Sequence, residues 1–108
     1  MRTPIHPGEI LKEEMDCLNI SANKLASMLH IPTNRITQIL NGKRAITPDT
    51  ARRLSAFFKT SPAFWMNLQL IYDMDVDFSD KQKENDISLI KPYTEYYSLN
   101  NTADIHSN

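Results

Sequence analysis

The chain has 108 residues, one cysteine and a formal net charge of −1, a length that suits one domain with an appendage better than two domains. The lone Cys17 excludes an intramolecular disulfide. Pro4, Pro7, Gly8 and Glu9 interrupt the opening segment, and no apolar run later in the chain is long enough to span a membrane, so neither a signal peptide nor a membrane partner is expected and the cytoplasm is the expected compartment.

Apolar residues recur at three- and four-residue spacing through the first 72 positions, which predicts an all-α fold. A first helix starts near Pro7, whose missing N–H has no partner to lose at the first helical position, and Glu9 complements the positive end of the dipole. Ile10, Leu11, Met15 and Leu18 form its predicted buried stripe. Ser21 is the predicted N-cap of a short second helix with Leu25, Ala26, Met28 and Leu29 inward. His30-Ile31-Pro32 ends it, because the residue before a proline is pushed out of the α region.

A third helix is predicted from about Thr33 to Leu40, with Ile36, Ile39 and Leu40 inward and a stop at Asn41-Gly42, where glycine is free to turn left-handed. Thr47-Pro48-Asp49 combines a cap, a first-turn proline and an early acid, and so starts a fourth helix with Ala51, Leu54, Phe57 and Phe58 inward. Ser61-Pro62 repeats the signal for a fifth, with Phe64, Trp65, Leu68, Ile71 and Tyr72 on one side. Charge then changes sign: residues 1–72 carry nine Lys/Arg against five Asp/Glu, whereas residues 73–108 carry three against eight. The first part would draw a polyanion and the second would repel it.

The connection between the second and third helices has the three or four residues that set two helices steeply in a helix-turn-helix unit, whose second helix enters the DNA major groove. Thr33, Asn34, Arg35, Thr37 and Gln38 occupy the leading and outward positions of the third helix and are the predicted base readers. Asn and Gln can pair with adenine, Arg with guanine, and Thr offers a hydroxyl and a methyl. Ser21, Asn23 and Lys24 before it, and Asn41, Lys43 and Arg44 after it, are the predicted phosphate anchors. Arg52 and Arg53 are either further anchors or decoration of the solvent side of the fourth helix. One short helix reads too few base pairs for selective binding, so a homodimer on an inverted-repeat operator of double-stranded DNA is expected.

The expected organisation is a five-helix, repressor-like domain for DNA binding and dimerisation over residues 1–78. Residues 79–108 are expected to form a polar, acidic, partly disordered tail, with ordering on a partner as one outcome. No metal is expected, since His6 and His30 have no Cys or carboxylate at ligand spacing. No cofactor and no enzymatic activity are expected, for the domain offers no nucleophile–base pair, no glycine-rich phosphate loop and no buried acid pair.

Lys24-Leu25-Ala26, Ile36 and the Asn41-Gly42-Lys43 close resemble the helix-turn-helix of phage repressors and many bacterial regulators. More narrowly, five segments in order are similar to HigA antitoxins: His6 to Leu11, Pro32 with Asn34-Arg35-Ile36, Asn41 to Thr47, Asp49-Thr50-Ala51 with Arg53-Leu54, and Thr60-Ser61-Pro62 with Phe64 to Gln69. The resemblance covers roughly residues 6 to 73. It implies a homodimeric antitoxin that represses its own operon and neutralises HigB, a RelE-like mRNA endonuclease. The competing reading is a stand-alone repressor with no toxin. One departure is His30, which stands at the turn position where glycine is usual.

Overall fold

The computed structural model describes residues 2–94, and the only regular elements among them are helices. They are α1 (Pro7–Leu18), α2 (Ala22–Leu29), α3 (Thr33–Leu40), α4 (Pro48–Phe58), α5 (Pro62–Phe78) and α6 (Lys81–Ser88). The helix starts are fixed by local chemistry. Ser21 Oγ accepts from the Lys24 N–H at 3.1 Å, and Thr47 and Asp80 accept from Thr50 and Lys83 in the same way. At α1 the cap is a histidine, whose Nδ1 accepts from the Gly8 N–H at 2.9 Å.

The ends of α1 to α4 share one device, a left-handed residue that lets the chain fold back on the last carbonyls. Gly42 does this after α3 at φ +74°, while Asn19, His30 and Lys59 do it after α1, α2 and α4 at φ +54° to +62°. His30 therefore takes the conformation that glycine usually supplies, and the tight α2–α3 turn survives without it. Gly8 answers a different need: a Cβ there would collide with the Ile39 backbone carbonyl, so the first turn of α1 lies directly on the end of α3.

The core joins Leu11 and Met15 of α1, Leu25, Ala26 and Leu29 of α2, Ile36 and Ile39 of α3, Ala51 and Leu54 of α4 and Trp65 of α5. Ile46, from the loop between α3 and α4, completes it. Buried polar groups are matched: Trp65 Nε1 donates to Thr60 Oγ1 at 2.9 Å, and Gln69 receives the Ile46 N–H at 2.7 Å while donating to Asp73 at 2.9 Å. Gln69 thereby holds the α3–α4 loop onto α5.

Several expectations need correction. Leu18, Met28, Phe64 and Ile71 are exposed, not buried. Five helices, α1 to α5, fall within residues 1–78, and a sixth, α6, follows in the stretch expected to be a partly disordered tail. Two compact units divide the chain, Met1–Asp77 and Phe78–Asn108, and α6 belongs to the second. It has no buried residue and rests on local propensity, with Lys, Gln and Glu behind the Asp80 cap, which is why apolar periodicity passes over it. The stretch of the expected disordered tail from residue 95 onward lies outside the described residues.

Candidate nucleic-acid interface

α2 packs against α3 and α4, and α1 packs against α3. This arrangement presses Ile36 and Ile39 into the core with no exposure at all, which turns the opposite side of α3 outward. Asn34 is exposed there, with Thr33, Arg35, Thr37 and Gln38 half-buried along the helix. Ser21, Asn23 and Lys24 at the start of α2 are exposed, as are Asn41, Lys43 and Arg44 beyond α3. From Ser21 to Arg53 the sequence holds six basic residues and a single acid, Asp49.

That acid is occupied. Arg35 Nη1 donates to Asp49 Oδ2, and Arg53 Nε donates to both Asp49 oxygens at 3.0 and 3.2 Å. The two guanidinium groups hold the Asp49 carboxyl below the usual carboxylate range. Arg53 Nη1 also donates to the Leu29 carbonyl at 2.9 Å, satisfying an orphan acceptor at the end of α2. Asp49 and Arg53 thus tie α2, α3 and α4 together across the turn. Sequence reasoning missed this because the Arg35–Asp49 pair spans 14 residues and belongs to no local motif. Arg53 is engaged within the fold, while Arg52 is exposed.

The remaining readers are also set in place. Thr37 Oγ1 donates to the Asn34 carbonyl at 3.2 Å, which ties up its hydroxyl proton. Arg44 Nε donates to Gln38 Oε1 at 2.8 Å. The Lys43 N–H donates to the Gln38 carbonyl at 2.8 Å and the Gly42 N–H to the Ile39 carbonyl at 3.0 Å, a paired closure that draws the basic loop onto the last turn of α3.

His6 braces the same loop from beneath. Its ring lies beside Gly42 and meets the Tyr72 ring edge-on at 4.9 Å. Burial pushes the imidazole pKa down, against the opposing pull of the Arg44 backbone and the nearby Glu9 and Asp73 carboxylates. The sequence places His6 at the N-cap of α1, but its packing against the loop and Tyr72 was not legible there, because those contacts join segments far apart in the chain.

The surface as a whole offers amide, hydroxyl and guanidinium groups on a protruding helix flanked by cations, which is the chemistry of duplex recognition. Among the described residues no group of three His, Cys, Asp or Glu could hold a metal ion, and no helix is long and apolar enough to cross a membrane.

A helix-turn-helix family model, HTH_3, matches residues 11–65. Virulence-associated protein I of Dichelobacter nodosus is 44% identical over 82 residues, covering 75% of this chain and 76% of that protein. An addiction module antidote protein of the HigA family from Coxiella burnetii is 53% identical, covering 85% of this chain and all of that one, with a TM-score of 0.79. Pseudomonas aeruginosa antitoxin HigA, solved with the higBA promoter, is 37% identical over 84% of this chain and 99% of that one, with a TM-score of 0.77.

Proposed function

Because the chain belongs to the repressor-like helix-turn-helix family and to its HigA antitoxin group, we propose that it binds operator DNA, represses its own operon and neutralises a HigB-type mRNA endonuclease in the cytoplasm. The observation that carries the DNA half is the outward placement of exposed Asn34 and half-buried Thr37 and Gln38 on the side of α3 away from Ile36 and Ile39, between exposed Lys24 before it and exposed Lys43 and Arg44 after it. A P. aeruginosa relative with 37% identity is solved with its promoter, which supports the same use here.

Two copies bind one operator, each setting α3 into successive major grooves about 34 Å apart on an inverted repeat. Phe64, Leu70, Ile71 and Met74 fall on one side of α5 and are 40–57% exposed, an apolar stripe suited to a second copy of the chain. The Asp49–Arg53 lattice and the His6 brace hold the reading helix ready, so little ordering is left to be done on the duplex.

The adjacent gene is expected to encode a short RelE-like protein. Expressing it alone should arrest growth, adding this chain should restore growth, and the two should co-purify while a promoter duplex is retarded by this chain. Duplex retardation without rescue or co-purification would make the protein a stand-alone repressor. Rescue without retardation would remove the DNA half.

A further inference from the structure

We propose that Arg44 is a positioning residue for base recognition: by holding the Gln38 side-chain oxygen, it presents Gln38 as a hydrogen-bond donor that selects guanine. The inference rests on the reading of α3 as the groove-entering helix. Its ground is the 2.8 Å bond from Arg44 Nε to Gln38 Oε1. A guanidinium only donates, so the amide atom that faces it must be the oxygen, and the NH₂ group then points the other way.

The clamp itself is fixed. Gly42 turns left-handed, the Gly42 and Lys43 N–H groups bond the Ile39 and Gln38 carbonyls, and the His6 ring lies beside Gly42. Arg44 therefore starts from a braced backbone one loop beyond the residue it orients.

An unclamped glutamine pairs with adenine, its oxygen taking the N6 proton and its NH₂ serving N7. With one of its two lone pairs taken by Arg44, the Gln38 oxygen is turned toward the guanidinium, and in the proposed pose the groups presented to the base are N–H donors, from the Gln38 amide and the guanidinium. Adenine would set its own amino group against them. Guanine shows two acceptors, O6 and N7, and meets them without conflict. The side chains at 38 and 44 read one base pair as a unit, and Arg44 contributes sequence preference beyond any contact with phosphate.

The test uses full-length protein and a duplex of its own promoter, with each base pair of one half-site exchanged in turn and affinities measured by competition gel shift. Wild type should lose roughly tenfold to a hundredfold in affinity when one G·C pair is exchanged for A·T. Gln38→Ala should flatten the preference at that same pair, Arg44→Ala should abolish the G·C preference there or turn it toward A·T, and both should leave the preferences elsewhere. Arg44→Lys, which keeps the charge but not the planar fork, should flatten it too.

If Arg44→Ala weakens every duplex by one factor and lowers the salt slope by about one while the G·C preference persists, Arg44 is a phosphate anchor and the inference fails alone. An adenine preference of the wild type that depends on Gln38 overturns it as well. Should Gln38→Ala leave all preferences unchanged, or wild type fail to bind the promoter, the reading of α3 falls and takes the inference with it.

Discussion

Replacing Gly8 by alanine sets local propensity against packing, and the structure decides which wins. Gly8 lies in the first turn of α1, where alanine would by itself favour the helix by up to ~1 kcal/mol. The added Cβ, however, would collide with the Ile39 carbonyl oxygen and lie 2.9 Å from its carbon. Both are backbone atoms, and the same oxygen accepts the Gly42 N–H that closes α3, so neither can give without undoing the cap. Overpacking of this kind costs about 1–3 kcal/mol; taking the upper end against an intolerant neighbour, the net loss is about 2 kcal/mol. For a domain of this size that lowers Tm by roughly 10 °C. Thermal unfolding followed by circular dichroism measures it, with promoter binding as a second reading because the end of α3 must shift. A variant as stable as wild type, or more so, would refute the close approach of α1 to α3.

His30→Gly should raise stability by about 0.5–1 kcal/mol, since relief of a left-handed side chain exceeds the extra chain entropy that glycine brings; a lower urea midpoint would show that the imidazole contributes contacts of its own. His6 carries a pH dependence. Its depressed pKa means that the unfolded chain takes up the proton first, so its stabilisation is complete above about pH 6.5 and drains away as pH falls from there through the folded-state value. His6→Asn keeps a capping side chain and removes the titration, so its urea midpoint should vary less between about pH 7.5 and 5; an unchanged slope would place the titrating group elsewhere. Ile71→Asp, on the exposed stripe of α5, should yield a folded monomer with weakened promoter binding, and an intact dimer by light scattering would move the interface to another face.

The starts of the helices were legible because they are written locally, in Ser21, Thr47 with Pro48, and Pro7. Their ends were less so, for Asn19, His30 and Lys59 take a conformation that sequence reading reserves for glycine. Periodicity identified most of the core yet placed Leu18 and Met28 inside it, since an apolar position on a helix is buried only if a neighbour covers it. It gave no sign that Ile46, a loop residue, would join the core or that Gln69 would reach back 23 residues to hold it. The same holds at the interface. Helical geometry was enough to put Asn34 and Gln38 on the outer face, but the engagement of Arg35 by Asp49 and of Gln38 by Arg44 arises only when separate segments meet.

The central claim is that the outward side of α3 meets a DNA duplex, and the side-chain amides of Asn34 and Gln38 report on it directly. Titrating ¹⁵N-labelled protein with its own promoter duplex should shift or broaden those two NH₂ signals, together with backbone amides at the start of α2 and in the Gly42–Arg44 loop. If they stay in place while binding perturbs another surface, such as the exposed side of α5, α3 is not the reading helix.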